Sequence, residues 1–320
     1  MQLRQSLNAA IGRLTAASVP SPRMNAELLI MFTLGCDRAY LYAHPERELT
    51  LDEASRYDEA LARRASGVPA QYITGHQEFW GMDLIVSPAV LIPRPETEHL
   101  VEAVLELTTG AGSKQKQDQD QRSRAGTPSA GAQGRSAPLM LRIVDVGTGS
   151  GAIALALARE LATAEIFATD ISAEALDVAR ANAARHELSS RIHFFRTDLL
   201  TGLTLGGGRS ATELPQAGLD FVVSNPPYVG ESEEDEVQLE VRKFEPRNAV
   251  FAGPTGLEVI ESLIHQAREA LRPGGWLVFE ISGTIADGVR RLLAGWDEIQ
   301  FKNDLQGIAR VAMARKPAGR

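Results

Sequence analysis

The chain has one cysteine in 320 residues, Cys36, so no internal disulfide framework can form. A reducing compartment, and with it a cytoplasmic location, is expected. Cys36 follows Gly35 at an expected helix end and reads as a small core residue. No apolar run reaches the ~18 residues of a membrane-spanning helix. With 44% apolar residues, a soluble chain with a sizeable core is expected, and no membrane partner. Basic residues are not in excess either: 33 Lys and Arg face 41 Asp and Glu, a net charge of −8. Residues 1–70 balance eight Arg against eight acids, so the deficit lies beyond them. Nucleic-acid binding needs concentrated Lys and Arg, so none is expected. A small molecule or a basic protein suits this charge better. There are six histidines. His76 and His99 have no partner at metal-ligand spacing, and no metal is expected.

What is present divides the chain. The first 26 residues carry Arg4, Arg13 and Arg23 and no acid, a pattern shared with mitochondrial transit peptides. Leu3, Leu7, Ile11 and Leu14 fall on one helical face, which favours a first helix instead. Ser21-Pro22 starts a second helix that Gly35 closes, and Thr50-x-x-Glu53 is a capping box. Residues 1–70 are therefore expected to form a bundle of four or five helices. In residues 71–92, Tyr72 to Gly75 and Glu78 to Val86 read as paired strands turning at glycines, a hairpin linker. A second unit is expected from 93 to 320 and opens with a helix from Thr97 to about Leu107. Within it, residues 110–138 are almost free of apolar groups and read as a disordered insert.

From 139 onward strand-like and helix-like runs alternate. Strands are expected near 141–146, 165–169, 192–196, 220–224, 276–281, 296–302 and 308–315. Helices are expected near 152–161, 173–187, 256–272 and 285–294. Such alternation gives an α/β fold with a mostly parallel, doubly wound sheet. About six residues join the last two strands, too few for a parallel crossover, so the final strand is expected antiparallel.

Two strand ends carry the chemistry. Arg142 to Val146 runs into Gly147-Thr148-Gly149-Ser150-Gly151 and then a helix-like segment. Glycines there let the backbone approach a ligand at a helix N-terminus. Asp170 comes nineteen positions after Gly151 and can accept from two ribose hydroxyls. Asp145 can orient the loop or touch the ligand's amino group. Asp198 can accept from an adenine amino group while Leu199 covers the ring face. Gly147-x-Gly149-x-x-Ala152 also fits a dinucleotide pattern. The other strand end tips the choice to S-adenosylmethionine. Phe221-Val222-Val223 runs into Asn225-Pro226-Pro227-Tyr228. Pro226 has no N–H, so its backbone offers only an acceptor, and Asn225 adds a side-chain carbonyl. Together they make a cup for a planar –NH2 group, with Tyr228 to stack on a flat substrate. Arg94 in Pro93-Arg94-Pro95-Glu96-Thr97 can contact substrate backbone or pair with an acid. Glu231, Glu233, Glu234, Asp235 and Glu236 form an acidic run just past the cup, read as a solvated face.

These motifs resemble the HemK/PrmC family of protein-(glutamine-N5) methyltransferases. The resemblance rests on Gln71 to Gly75, Glu78-Phe79-Trp80, Leu91 to Glu98, Asp145 to Ala154, Ser224 to Tyr228 and Phe244-Glu245-Pro246. It implies a class I, Rossmann-like methyltransferase with a helical N-terminal domain that recognises substrate. It implies methyl transfer from S-adenosylmethionine to the glutamine of a Gly-Gly-Gln loop in class-1 peptide chain release factors, supporting translation termination. It also implies that the glycine loop, Asp170, Leu199 just after Asp198, and the Asn225 motif bind cofactor or substrate. A monomer is expected. Three departures stand out: Glu280-Ile-Ser282-Gly-Thr-Ile285 lacks a usual Gly and Gln, Thr255 replaces an acid, and the 110–138 insert is unusual. Other readings are a ribosomal-protein glutamine, an exocyclic amine of DNA or RNA, and a cofactor-binding adaptor without turnover.

Overall fold

In the computed structural model, residues 1–109, 140–206, 213–215 and 218–319 are described, and the expected 110–138 insert lies outside them. Five helices open the chain: α1 (Leu3–Ala16), α2 (Pro22–Leu34), α3 (Arg38–Ala43), α4 (Leu51–Ala65) and α5 (Ala70–Thr74). Leu3, Leu7 and Leu14 of α1 are buried against Leu29 and Ile30 of α2 and Leu61 of α4. Burying each such side chain contributes about 1.5–3 kcal/mol. Thr50 and Glu53 make the expected capping box on α4. Gly35 ends α2 in the left-handed conformation. Ser21 stands at the α2 N-cap without capping it through its side chain; the Asn25 amide donates to the carbonyls of Pro20 and Ser21 instead. Cys36 is half-buried rather than a core residue.

Tyr72 to Gly75 departs from the strand reading. Residues 70–74 are the short helix α5, closed by Gly75 at φ 78°. The buried Tyr72 hydroxyl donates to the Val90 carbonyl at 2.6 Å, which spends this aromatic on packing rather than pairing. The hairpin lies one step later: β1 (His76–Phe79) pairs antiparallel with β2 (Met82–Ile85). Its turn is Trp80-Gly81, both at positive φ, as two-residue hairpins demand.

After a 3₁₀ turn at Pro95–Thr97 comes α6 (98–109), with Leu100, Val101, Ala103 and Val104 buried. Then follow β3 (Arg142–Val146), α7 (Ala152–Glu160), β4 (Glu165–Asp170), α8 (Ala173–Arg185) and β5 (Ile192–Arg196). Short β6 (Thr204–Gly206) and β7 (Glu213–Pro215) pair with each other. The chain continues through β8 (Leu219–Ser224), α9 (Leu239–Phe244), α10 (Arg247–Val250), α11 (Glu258–Ala270) and β9 (Leu271–Glu280). It ends with α12 (Ala286–Leu292), β10 (Asp297–Asn303) and β11 (Ala309–Arg315). The main sheet has seven strands in the order β10-β11-β9-β8-β3-β4-β5. β11 is antiparallel to both neighbours and the rest are parallel.

Strand alternation sends side chains to two cores. Ile143, Phe221, Val223 and Val278 meet α6 and α7 on one face. Val144, Val146, Val222, Leu277 and Phe279 meet α11 and α12 on the other. Both faces being covered is why these strands are almost wholly apolar. The strand order reverses between β3 and β8, where ligands bind at the carboxyl ends in open α/β sheets. Among the described residues no helix is long and apolar enough to cross a membrane.

Candidate active site

β3 and β8 lie side by side, with Val146 opposite Ser224. The register therefore delivers Gly147 and Asn225 to one rim. The Ser224 hydroxyl fastens that rim by donating to the Val146 carbonyl at 2.7 Å. A cavity of ≈ 550 Å³ opens there, within the ~300–1,000 Å³ of small-molecule sites. Its lining includes Gly147, Thr148, Gly149, Ser150, Asp170, Asp198, Leu199, Asn225 and Pro227. The glycine loop and the Asn225 motif thus face one hollow.

Gly151, expected beside them, lies behind the cavity. It precedes α7 at φ 85°, and a Cβ there would sit 2.5 Å from Leu155 Cδ1. Its role is to let the loop enter the helix. Asp145 is also withdrawn: it is fully buried, and Oδ2 accepts from Thr148 Oγ1 at 2.7 Å and Ala154 N at 3.1 Å. Of the two sequence readings, loop orientation is the one its contacts express. Burial pushes its pKa up to about 7, the bonds from Thr148 and Ala154 pull it down, and Asp170 adds a further rise.

Asp170 ends β4 and holds the loop from the other side. Its Oδ2 accepts from Gly149 N at 2.9 Å and its Oδ1 from Ser172 N at 2.9 Å. Burial raises its pKa while those backbone bonds oppose the rise. Ser172 is the N-cap of α8, accepting from Ala175 N, so Asp170 is not needed as a cap. Asp198 is exposed at the cavity edge, and Leu199 beside it adopts φ 52°. The lining fits S-adenosylmethionine: a carboxylate to accept from ribose hydroxyls, a second to accept from an amino group, and apolar side chains for a ring. Asn182 was not singled out by the sequence, yet it fastens the loop from below. It is fully buried, donates to the carbonyls of Ile85 and Ser150 at 2.9 Å, and accepts from Ile85 N at 2.7 Å. Its polar type amid the apolar α8 face was the available signal.

A second cavity of ≈ 180 Å³ adjoins the first, lined by Leu91, Arg94, Asn225, Pro226, Pro227, Tyr228 and Glu280 among others. Asn225 and Pro227 line both. The Asn225 Nδ2 donates to Thr97 Oγ1 at 3.1 Å, leaving Oδ1 as the acceptor of that carboxamide. Tyr228 Oη donates to Glu280 Oε1 at 3.4 Å, and burial raises the Tyr228 pKa. Thr97 and Glu280 were not among the sequence candidates; each is distant in the chain from Asn225, so only the fold joins them.

Arg94 pairs with an acid, one of its two expected roles: Nη2 meets Glu245 Oε1 at 2.6 Å. Glu245 is buried, its Oε2 accepts from Ile92 N at 3.3 Å, and burial raises its pKa against the opposing charge of Arg94. Arg94 also lines a third cavity of ≈ 230 Å³ that reaches α2, with Asn25, Arg64, Gln71 and Glu240 on its walls. Arg64, buried in α4, crosses that wall to Glu240 Oε2 at 3.0 Å. The acidic run has no buried residue and carries surface ion pairs, Glu234 with Arg247 and Asp235 with Arg242, as a solvated face does. Ser282 precedes a 3₁₀ turn whose Ile285 is buried, and Thr255 binds Glu258 through its N–H and hydroxyl. His76 and His99 sit against Asp83 and Glu102.

The comparisons agree with this layout. Residues 5–75 match the PrmC N-terminal domain, and residues 135–243 match the methyltransferase small domain. A release factor glutamine methyltransferase of Koribacter versatilis is 49% identical over 99% of this chain and 99% of its own. One from Nitratidesulfovibrio vulgaris is 37% identical over 98% and 95%. Among solved structures, the hMettl16 catalytic domain in complex with MAT2A 3'UTR hairpin 6 superposes with a TM-score of 0.52 at 17% identity, covering 89% of this chain and 93% of that one. That likeness concerns the fold, which is that of a class I methyltransferase. Full-length identity at this level, over a chain carrying both domains, decides membership: this protein belongs to the release factor glutamine methyltransferase family.

Proposed function

We propose that this chain transfers a methyl group from S-adenosylmethionine to the side-chain amide nitrogen of the glutamine in a Gly-Gly-Gln loop of class-1 release factors. The observation that carries the reading is that Asn225 lines both the glycine-loop cavity and the adjoining one. Gly147, Thr148, Gly149, Ser150, Asp170, Asp198 and Leu199 would hold the cofactor in the larger cavity. Bound there, S-adenosylmethionine supplies an electrophilic methyl carbon. The acceptor amide enters the smaller cavity beside Pro226 and Tyr228.

An amide nitrogen is a weak nucleophile because its lone pair is shared with the carbonyl. Asn225 Oδ1 and the Pro226 carbonyl each accept one N–H of the acceptor. This holds the nitrogen with its lone pair toward the larger cavity. It also stabilises the positive charge that grows on nitrogen, because the acceptors are fixed before the reaction starts. Alignment of this kind contributes up to ~7–11 kcal/mol toward the barrier. The methylated nitrogen sheds its proton readily, so no strong base is required. The third cavity, running from Arg94 to the helical bundle, supports a protein acceptor that engages residues 1–70 as well as the cup. We place this activity in the cytoplasm, in a monomer, with no nucleic-acid partner.

The test is incubation with methyl-labelled S-adenosylmethionine and a class-1 release factor. Label is expected in the intact factor and not in one whose loop glutamine is replaced by alanine. Equal labelling of both would reject the reading.

A further inference from the structure

The Asn225 carboxamide serves as an acceptor in one of its two senses and not in the other. With Nδ2 on Thr97, the oxygen remains for the incoming N–H. Turned by half a rotation, the cup would set a donor against a donor. The contact that decides is Nδ2 to Thr97 Oγ1 at 3.1 Å. A hydroxyl both donates and accepts, so alone it does not tell Nδ2 from Oδ1. The Thr97 proton must be held away from Asn225 by another acceptor.

Glu280 stands where that acceptor is needed. It ends β9, next to β8 in the sheet, just past the Ser224–Phe279 pair. Thr97 lies close enough to pull the pKa of its carboxyl down, and Tyr228 Oη donates to its Oε1 at 3.4 Å. Thr97 and Glu280 are 3% and 2% exposed. Among the described residues Glu280 Oε2 has no well-formed hydrogen bond, so it retains the capacity to take the Thr97 proton. Burying a carboxyl is unfavourable unless donors surround it. Here one donor is in place, the Tyr228 hydroxyl on Oε1, and Oε2 is left for the Thr97 hydroxyl. Burial pushes its pKa up to about 7, Thr97 and Tyr228 pull it down, Glu96 raises it and Arg310 lowers it.

We propose that Glu280 is a positioning residue that fixes the sense of the Asn225 carboxamide by accepting the Thr97 hydroxyl proton. This rests on the reading that the cup holds an acceptor amide. The reacting atoms are touched by Asn225; Glu280 acts through Thr97.

The test uses the full-length protein as wild type and as E280M, E280Q, T97V, T97S and T97V/E280M. Methyl transfer to a release factor gives kcat, calorimetry gives cofactor affinity, and the ¹⁵N–¹H signal of the Asn225 side-chain amide, assigned by its loss in N225D, reports the contact. E280M and T97V should each lower kcat about 10²-fold, as for loss of one preorganised polar group. Cofactor affinity should change by less than about threefold, and the double variant should be no slower than its slower parent, because both break one relay. T97S keeps the hydroxyl and E280Q keeps one acceptor, so both should recover part of the rate. The Asn225 amide signal should move in E280M and T97V. Wild-type kcat in E280M, losses that multiply in the double variant, or an unmoved amide signal would each overturn the proposal. If the wild type fails to methylate release factors, the methylation reading falls, and the amide signal alone then decides the positioning.

Discussion

Asn225 donates Nδ2 to Thr97 Oγ1 at 3.1 Å although 128 positions separate them. The bond joins the end of β8 to the 3₁₀ turn that carries the Pro-Arg-Pro-Glu-Thr segment. Replacing Asn225 with Asp puts an oxygen where that donor was and adds a negative charge to the cup. We expect kcat to fall by about 10²–10³-fold, the range seen when a preorganised polar group is lost. Cofactor affinity should change far less, because Asp170 and the glycine loop remain. Steady-state kinetics beside calorimetry separate the two. Lost cofactor affinity at unchanged kcat would contradict the assignment.

Asp170 has a different task, and its variant should show the reverse split. Its two oxygens accept from Gly149 N and Ser172 N, each at 2.9 Å. It faces the larger cavity while holding the loop that forms one wall. Charge-assisted bonds contribute about 1.5–3 kcal/mol each, and about 1.4 kcal/mol is tenfold in affinity. Asp170→Ala should therefore weaken cofactor binding at least ~10-fold. At saturating cofactor, kcat should stay close to wild type.

Much of this arrangement is legible in the residues themselves. The seven strands of the main sheet follow from apolar runs between turn residues, and the antiparallel β11 follows from a connection too short for a crossover. The glycine loop and the Asn-Pro-Pro-Tyr strand end are local patterns, so their chemistry can be read before folding. What could not be read depends on distance. Thr97, Asn182 and Glu280 are ordinary polar residues in their own segments. They acquire roles only when the sheet brings them to Asn225, Ser150 and Tyr228. The error at Tyr72 has another cause. Tyr and Ile favour strands in pattern reasoning, but burial against Val86, Val90 and Ile92 decides the local conformation there.

Arg94 and Glu245 form an unequal pair, with side chains 34% and 2% exposed. Removing the arginine leaves a carboxylate buried with one backbone donor, Ile92 N. Breaking a fully buried pair costs about 3–5 kcal/mol, and the exposure of Arg94 lowers that figure. We expect Arg94→Ala to destabilise the protein by about 2–3 kcal/mol. Adding Glu245→Gln to it should recover part of the loss, because the stranded charge is gone. Thermal denaturation of the two single variants and the double variant checks this. Strictly additive losses would show that the two side chains do not depend on each other. Arg94 also lines the second and third cavities. Its loss should therefore raise KM for the release factor while leaving cofactor affinity unchanged.

Asp145 should make stability fall as pH rises toward neutrality. Its carboxyl is fully buried, and its pKa is raised from 3.8 to about 7, chiefly by that burial. The folded state thus holds the proton more tightly than the unfolded chain does. Its stabilising effect is complete below about pH 3.8 and is lost progressively until about pH 7. A shift of this size corresponds to a few kcal/mol as an order of magnitude. Glu280, also raised to about 7, acts in the same direction. Asp145→Asn keeps an oxygen for the Thr148 hydroxyl and the Ala154 N–H while removing the titration. Melting temperatures measured at pH 5.5 and pH 8 in buffers of equal ionic strength should differ less in the variant than in the wild type. Part of the difference should persist, because Glu280 still titrates. An identical pH dependence in the two proteins would mean that Asp145 keeps one protonation state across this range and would overturn the prediction.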